Sequence, residues 1–595
     1  MARVAPTDEG LSTRGPSPSL RAPLLWLVVP FMAGICLAAH LGSLAPAGLG
    51  LVLGTALLIF AFVAVRSKRL AALTLPGLAV GACLLGVGWL GVRTPPDLYT
   101  WQQLPPREAE LTLRIDRLIP RDDPYNRVSA VATVTQAPTH LHELLTQKLQ
   151  CLLVPRVETE ALTTGTQVRV RGQLSFLPAR IRQRHEMLNT GQTDLDPVDL
   201  RNWLAYDTYL VRSGIHFSLS RGYILEQVNP APRHQRWLQA TAESINASLH
   251  QEANDARTQR LADLAAAMAL GRKDLLTPEQ KERFGTAGVM HLFAISGLHV
   301  GVVAGLLFFM LRLLGGWLLP TRVRTRRLIE FLTGVPLLWV YVGVTGFAPS
   351  AVRAWLMVGT FWSARVFRRR GAPLAALAFS ALLVLIWEPR QLFSLGFQLS
   401  YAVVAGILLY GAPLADALNT RWAPFKDLPE ASLRFWQRAR RTIQASVLSL
   451  VCISVAALIL GAPLTIGSFN RFAFAGVVLN ILLIPLASLA LCGALLSAVF
   501  GLGAFAPVSA FFNHGTWLIL WLMEAVVIAA EALAPLSLQL QWRFDGLGEA
   551  LVVAVLALLC LRPIQRQPAK RSWTRAVEAP ALLAVCLLFG TRWAG

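Results

Sequence analysis

The sequence predicts an α-helical polytopic membrane protein of about 11 to 13 spans, with an OB-like β-barrel domain inserted outside the cytoplasm. Of its 595 residues, 54% are hydrophobic and only 15% are charged, whereas a soluble domain carries about 25% charged residues. Apolar runs of roughly 16 to 33 residues recur along the chain, and about 20 such residues span the hydrocarbon core. One long polar block interrupts them. This composition excludes a soluble multidomain protein, a disordered chain and a disulfide scaffold.

The order of polar and apolar stretches divides the chain into five segments. These are a cytoplasmic N-terminal tail (1–23), N-terminal membrane segments with three apolar runs (24–92), an extracytoplasmic OB-like domain (93–235), an amphipathic helical connector expected along the membrane surface (236–286) and a membrane domain (287–595). The tail is polar and lacks the features of a cleavable signal peptide. In the membrane domain, the run at 472–500 contains Pro485 and is expected to be broken, and the last two runs are 547–562 and 577–594.

The distribution of positive charge predicts the orientation. With a cytoplasmic N-terminus and thirteen crossings, the inner loops carry 26 Lys and Arg residues and the short outer loops carry 3. Inner loops of multi-pass proteins carry such an excess, so the sequence predicts a cytoplasmic N-terminus with the polar block outside. The same asymmetry accounts for most of the net charge of +21. That charge therefore does not by itself indicate a nucleic-acid partner.

The polar block predicts a small barrel. Five of its segments alternate between apolar and polar side chains or can complete such a set, which is typical of half-buried strands. They are residues 108–119, 126–136, 149–155, 166–176 and 214–225. Five short strands suit an OB-type barrel. Residues 198–212 predict an amphipathic helix that leads into the last strand.

Five arginines cluster on and just after the fourth predicted strand, and they form a candidate phosphate-contacting edge. They are Arg169, Arg171, Arg180, Arg182 and Arg184. The alternative interpretation places the last three in a solvated loop. Residues 93–286 hold 24 basic and 22 acidic side chains, so the block is nearly neutral and tight binding of a polyanion is not expected.

Polar side chains inside apolar runs are costly and need a reason. The first group, His291, Ser296 and His299, lies where an apolar run begins. In an unbroken helix, His291 and His299 would share one stripe, and Ser296 would face His299 within one turn. Glycine recurs there at every fourth position, in Gly297, Gly301 and Gly305. This spacing lets another backbone approach closely or lets the helix unwind. The alternative is a glycine-packed helix whose histidines bond neighbouring carbonyls.

The second group follows a Gly- and Pro-containing helix break at 345–349. Ser350 can serve as the N-cap of the next helix, which places Arg353 in its first turn. A helix N-terminus with an arginine makes an anion site. The alternative is snorkelling, in which the Arg353 head reaches water from the outer interface.

Two weaker groups lie further along the chain. Gln398 and Ser400 add hydrogen-bonding groups to one apolar run, and Asn480 lies in the long run before Pro485. Proline leaves a carbonyl unpaired and so marks a kinked or discontinuous helix. Together the four groups describe a helical bundle with a polar, glycine-hinged interior, which is typical of transport pathways.

At these residues the sequence resembles the ComEC family, the inner-membrane competence proteins of natural transformation. The string HLFAISGLHVGVVAG is similar to the hallmark of that family, and TGFAPSAVRAWLM, LGFQLSYAVVAGILLY and NRFAFAGVVLNILLIPLA follow in the order of its membrane domain. Residues 24–92 and the polar block, including PVDLRNWLAYDTYLVRSGI, resemble its N-terminal segments and OB-like domain. The resemblance implies a competence-type channel in 287–595 that passes one strand of incoming DNA across the inner membrane.

Under this resemblance, the membrane residues of the four groups line the DNA path: His291, Ser296, Gly297, His299, Arg353, Gln398, Ser400 and Asn480. The barrel arginines would bind single-stranded DNA weakly and without sequence preference. The implied partners are single-stranded DNA and the lipid bilayer. A separate nuclease, a periplasmic DNA receptor, a cytoplasmic motor and a further copy of the chain are additional expectations.

The chain departs from the family in one respect. Many members carry a C-terminal metallo-β-lactamase-like domain, thought to degrade the other strand, whose metal site needs an HxDxDH-type cluster. Beyond His299 this chain holds a single histidine, His514. We therefore expect no metal, no cofactor and no catalytic residue. Either a separate protein degrades the strand, or the chain is a shortened paralogue with another role.

Two other functions stay open from the sequence. An intramembrane hydrolase would use Ser296 as nucleophile and His299 or His291 as base, but the sequence shows no clear oxyanion hole or base-orienting acid. A multispanning transporter of a small solute is the other. Glycine hinges and an arginine at a helix start suit a polyanion path better than peptide-bond hydrolysis.

The charge asymmetry predicts the result of a topology experiment. A reporter enzyme that is active only in the periplasm should be active when fused near Thr190 and silent when fused near Gln567. The opposite pattern of reporter activity would overturn the predicted orientation.

Overall fold

The computed structural model describes residues 24–539, apart from gaps of one to seven residues between elements. The first three helices are α1 (Leu25–Leu41), α2 (Ala47–Ala64) and α3 (Ala71–Arg93). Glycine lets them pack with backbones in contact, because a Cβ atom at Gly34 would lie 1.9 Å from the Cys83 carbonyl oxygen and one at Gly86 would lie 2.2 Å from that of Phe31. This is the close approach that small residues allow in membrane helices.

A closed five-stranded barrel follows, with strand order β1-β2-β3-β5-β4. Its strands are β1 (Arg107–Ile119), β2 (Val128–Gln136), β3 (Lys148–Val154), β4 (Gln167–Phe176) and β5 (Phe217–Asn229). Strands β3 and β5 run parallel, and the other neighbours are antiparallel. All five strands coincide with the segments predicted from alternation, because the inward positions close one apolar core around Trp101 and Phe217. The predicted fold class is confirmed.

Two helices, α4 (Leu177–Thr190) and α5 (Pro197–Arg212), are inserted between β4 and β5. Helix α5 matches the predicted helix. The interpretation of the segment after β4 as a solvated loop is wrong, since Arg180, Arg182 and Arg184 lie on α4. This helix carries almost no apolar stripe. It is held to α5 by ion pairs from Arg180 and Arg184 to the buried carboxylate of Asp207.

Three helices form the connector: α6 (Arg233–Leu249), α7 (Ala256–Leu270) and α8 (Pro278–Thr286). The prediction of amphipathic helices along the membrane surface fails for the second half of α7. There, residues 264–270 are buried without interruption. They pack against two later helices, Ala475–Leu502 and Ala506–Leu533. The sequence LAAAMAL has no polar face to leave in water, and its small side chains let neighbouring helices approach from several directions.

The remaining helices form the membrane domain. They are α9 (Gly297–Leu318), α10 (Val323–Val344), α11 (Pro349–Val366), α12 (Pro373–Trp387), α13 (Leu395–Gly406), α14 (Ala412–Trp422), α15 (Phe435–Phe469), α16 (Ala475–Leu502) and α17 (Ala506–Leu533). A π turn, Ile407–Gly411, joins α13 to α14. Helix α16 continues past Pro485, so the break expected in the 472–500 run is wrong.

Seven helical stretches in the described ranges are long and apolar enough to cross a membrane, and three shorter apolar helices accompany them. The chain is therefore a multi-pass membrane protein. The runs predicted at 547–562 and 577–594 lie outside the described residues, and the total of 11 to 13 spans stays a prediction.

The barrel is joined to the membrane domain at the turn between α5 and β5. Arg390, between α12 and α13, places its Nη1 2.7 Å from Nε2 of His216. Burial and the nearby Arg390 charge lower the pKa of His216 to about 4, so the neutral ring accepts this hydrogen bond at pH 7. The side chain of Arg390 also lies against Gly214, which has a positive φ of 81°. This contact holds the end of α5 next to the loop of the membrane domain that carries Arg390.

The glycine contacts of α1 and α3 predict a position-specific loss of stability. Gly86→Leu should lower the thermal midpoint of the purified full-length protein, because its Cβ meets the Phe31 backbone and overpacking costs about 1–3 kcal/mol. Gly48→Leu is the matched control in α2, where a Cβ would meet no described atom within 4 Å. Equal midpoints for the two variants would contradict the packing account.

Candidate functional site

The chain is broken immediately before α9. Gly288 has a φ of 72°, residues Met290–Phe293 form a single 3₁₀ turn, and α9 begins only at Gly297. The expectation that His291 and His299 share one helical stripe is therefore wrong. His291 instead places Nδ1 3.1 Å from the Gly288 carbonyl oxygen, within its own turn.

Ser296 and His299 meet as their spacing predicts, but as the cap of a helix. The Ser296 hydroxyl oxygen lies 2.9 Å from His299 Nδ1, and the Ser296 backbone N–H donates to the same nitrogen at 3.4 Å. In a capping box, the third helical residue binds the backbone N–H of the N-cap residue in this way. His299 takes the place that Glu or Gln usually fills, and its side chain is buried. The pair therefore closes the start of α9.

The glycines of α9 leave its surface open. Gly297, Gly301 and Gly305 are exposed. Added Cβ atoms at Gly301 and Gly305 would meet no described atom within 4 Å, and one at Gly297 would only touch Ala354 at 4.0 Å. The expected close approach of another backbone is thus wrong for the described part of the chain. The three glycines instead form a strip on α9 that no described residue covers, which we call the glycine strip.

Arg353 is enclosed at the start of α11. Gly346 and Phe347 have positive φ values of 77° and 52° and form the turn that ends α10. Ser350 was predicted as the N-cap of α11. That prediction is wrong, because its hydroxyl lies inside the first turn and donates to the carbonyl of Ile295 in the break before α9. Arg353 is only 5% exposed, and its Nη2 donates to the Gly396 carbonyl at 2.9 Å.

The contacts of Ser350 and Arg353 connect three helix starts. The Ser350 bond ties α11 to the break before α9, and the Arg353 bond ties α11 to α13. The guanidinium is not open to water as snorkelling would require, since the side chain is almost wholly buried. Its Nε–H is buried without a hydrogen-bond partner among the described residues, so part of the donor fork is left for another acceptor.

The third predicted group lies on α13. Gln398 is 2% exposed, and its Nε2 donates to the Leu392 carbonyl at 3.1 Å, so it supports the turn before the helix. Ser400 is half-buried. Ser394, which the sequence reasoning missed, accepts from the Phe397 N–H at 3.3 Å and caps α13. A serine immediately before the helical run was the available signal.

Asn480 lies on α16, and its Oδ1 is buried without a partner in the described ranges. One turn earlier, a Cβ at Gly476 would lie 3.5 Å from the Ala287 carbonyl oxygen. Residues four apart share a helix face. Asn480 therefore lies on the side of α16 that packs toward the chain just before the break at 288–296.

The five barrel arginines are largely engaged with carboxylates. Arg169 lies 3.0 Å from Glu226, and Arg171 lies 2.8 Å from Glu110. These pairs are solvent-exposed and contribute little, about 0–1 kcal/mol, so a phosphate could replace the carboxylate. The pairs of Arg180 and Arg184 with Asp207 are more buried and stabilise the α4–α5 contact. Arg182 is exposed.

Sequence reasoning missed one carboxylate at the other end of α9. Glu330 of α10 is 8% exposed and lies 3.3 Å from Arg326 and 3.6 Å from Arg312. Its position in a run otherwise typical of a membrane helix was the signal. Within the described residues, no group of three or more His, Cys, Asp or Glu side chains could hold a metal ion.

These features define a multi-pass membrane protein with an OB-like barrel joined to a helical domain that contains buried polar groups. A family model described as "Competence protein" matches residues 268–589, which is more than half of the chain. The chain belongs to this competence protein family, as the resemblance to ComEC implied. No solved structure matches it.

Three curated relatives are similar over parts of their length. "ComE operon protein 3" of Bacillus subtilis is 27% identical over 55% of this chain and 37% of its own length. "Recombination protein 2" of Haemophilus influenzae is 25% identical over 40% and 28%. "Competence protein ComA" of Neisseria gonorrhoeae is 30% identical over 27% and 24%. The chain thus spans well under half the length of these relatives.

The cap of α9 predicts which substitutions of Ser296 are tolerated. Ser296→Ala should lower the thermal midpoint of the full-length protein, since it removes the hydrogen bond between the Ser296 hydroxyl and His299, and one such bond contributes about 0.5–1.5 kcal/mol. Ser296→Asn should keep it, because asparagine is as good an N-cap as serine. Ser400→Ala, inside α13, is the matched control. An asparagine variant as unstable as the alanine variant would show that Ser296 does not act as a cap.

Proposed function

We propose that this chain forms an inner-membrane channel that translocates one strand of DNA into the cytoplasm during natural transformation. Membership of the competence protein family supports a role in DNA uptake. Two of the relatives are named for recombination and for competence. The passage of a single strand through this chain is argued from the chemistry of the site.

The observation that carries the proposal is Arg353. A phosphodiester in a medium of low dielectric needs a fixed positive partner, and arginine keeps its charge and offers several donors in one plane. Arg353 is 5% exposed, is oriented by the Gly396 carbonyl and keeps one buried N–H without a partner among the described residues. It is held between α11 and α13, close to the break that precedes the glycine strip. A phosphate passing this point would gain a charge-assisted hydrogen bond.

The glycine strip gives the proposed path its shape. Residues without side chains leave room along α9, and the strip starts one residue after Ser296. His291 lies in the 3₁₀ turn before α9 and is exposed. Its ring can form a hydrogen bond with the strand. We place Asn480 on the path as a further polar group, since its Oδ1 has no partner in the described chain. Gln398 and Ser400 support the α13 side.

The barrel would meet the strand before the membrane domain does. OB-type barrels bind single strands through positive grooves and stacking side chains, and the exposed pairs of Arg169 and Arg171 can exchange a carboxylate for a phosphate. In this proposal the barrel lies outside the cytoplasm and the N-terminus inside, as the charge asymmetry predicts. The same proposal includes the boundaries of the five segments. It also includes four further partners: a separate nuclease, a DNA receptor, a motor and a second copy of the chain.

A hydrolase is the alternative that one observation favours, namely the distance of 2.9 Å between Ser296 Oγ and His299 Nδ1. The same geometry is accounted for by the cap of α9. In the part of the chain that the structure describes, the hydrogen bonds of His299 go to Ser296 and the Leu292 backbone, and no carboxylate orients the ring as in a catalytic triad. Ser296→Asn separates the two functions, because it keeps a cap and removes the nucleophile.

The proposed phosphate contact predicts a graded loss of DNA uptake at position 353. Arg353→Ala should reduce uptake of labelled DNA and transformation frequency about ten- to hundredfold, since a charged hydrogen bond contributes about 1.5–3 kcal/mol. Arg353→Lys should lose less, because it keeps the charge without the planar fork.

Arg421→Ala, at the end of α14, is the control, and membrane levels of each variant are measured by immunoblotting. Normal transformation by a stably expressed Arg353→Ala protein would remove the phosphate contact from the proposal.

A further inference from the structure

Helix α5 carries a row of three exposed aromatic side chains. Trp203, Tyr206 and Tyr209 are spaced by three residues and therefore lie along one face. They are 42%, 40% and 43% exposed. A soluble domain rarely leaves contiguous large apolar groups open to solvent without a binding role. We call these three residues the aromatic row.

The aromatic row is held in place by polar contacts around it. The Arg184 guanidinium lies 5.5 Å from the centre of the Trp203 ring. The Tyr206 hydroxyl accepts a hydrogen bond from Gln150 of β3 at 3.3 Å, and the Tyr206 and Tyr209 rings are stacked, with centroids 6.4 Å apart. On the buried side of α5, Asp207 anchors the helix to α4. Rings fixed before a ligand arrives lose little entropy when they bind it.

The row leads toward the membrane site. Its last member, Tyr209, lies near the end of α5 whose following turn contacts the membrane domain. Just beyond it, the chain turns at Gly214 and is fixed by the contact of His216 with Arg390. The contact with Arg390 therefore joins this end of the row to the segment between α12 and α13.

We propose that the aromatic row is a base-stacking track that hands single-stranded DNA from the barrel to Arg353. This inference rests on the proposed function and assigns a binding site to α5. Aromatic faces stack on any base, so the track is indifferent to sequence. Arg184 beside Trp203 supplies positive charge at one end of the row, and Arg390 supplies it at the turn that follows the other end.

The spacing of the row agrees with this ligand. Residues three apart on a helix are displaced by about 4.5 Å along its axis, so the three rings cover about 9 Å. Aromatic platforms of this extent on other single-strand binding folds stack two or three bases. The competing explanation is a belt of aromatic residues at the lipid interface. Such a belt needs only apolar surface, whereas base stacking needs accessible ring faces.

The test uses the full-length protein in lipid nanodiscs and a fluorescein-labelled oligothymidine of twenty nucleotides, with binding measured by fluorescence anisotropy at one salt concentration. Tyr206→Leu and Tyr209→Leu should each weaken binding about tenfold, since stacking contributes about 1–3 kcal/mol per base. Tyr206→Phe and Tyr209→Phe should stay within about twofold of the unaltered protein, because they keep the ring. Trp237→Leu, an exposed tryptophan on α6, is the matched control and should bind normally.

A second readout separates stacking from a structural role. An oligonucleotide with 5-iodouracil, irradiated on the unaltered protein, should crosslink to Trp203, Tyr206 or Tyr209, as mapped by mass spectrometry. Leucine variants that bind as well as the phenylalanine variants, or crosslinks that map away from α5, would overturn the track and favour a lipid-interface belt. DNA uptake that does not depend on the chain at all would instead refute the proposed function.

Discussion

A polar group at membrane depth has to find its partner inside the protein, because the surrounding hydrocarbon offers none. Three helices of the membrane domain begin at broken segments, where backbone groups lose their helical partners. At two of these starts a side chain accepts a backbone N–H: His299 accepts that of Ser296 before α9, and Ser394 accepts that of Phe397 in α13. Near the start of α11, Arg353 instead binds the Gly396 carbonyl of α13. The break that opens the helices is therefore stabilised by the same polar residues that give the site its chemistry.

Glycine has opposite uses in the two halves of the chain. In α1 and α3, Gly34 and Gly86 let backbones touch, and the helices gain packing contacts that lipid cannot replace. In α9, Gly301 and Gly305 recur at the same spacing and meet no described neighbour within 4 Å. A spacing of four residues thus places glycines on one face, and the neighbouring helices decide whether that face is a contact or an opening.

The position of the barrel connects the two parts of the site. Its sheet is closed, so the sheet itself offers no free edge to the membrane domain, and the attachment is made by the inserted α4–α5 pair and the turn that follows. Arg390 binds His216 there, and the low pKa of that histidine keeps it an acceptor at neutral pH. Because α5 is anchored at both the Asp207 side and this turn, Tyr209 is held near the membrane domain. Two contacts, that of Asp207 with α4 and that of His216 with Arg390, thus hold α5 in place.

Sequence alone determined the features that depend on neighbours along the chain. Alternation located three strands and indicated the two segments that complete the barrel. Long apolar runs located the membrane helices, and a spacing of three residues brought Ser296 to His299. Contacts between distant segments decided the rest. Helix α4 has almost no apolar stripe, and its ion pair with Asp207 holds it to α5. The Ser350 hydroxyl donates to the Ile295 carbonyl instead of capping its own helix. The broken start of α9 separated the two histidines that an unbroken helix would have aligned. Periodicity is a property of one element, whereas partners and open faces are set by how elements pack, and only the tertiary structure contains that information.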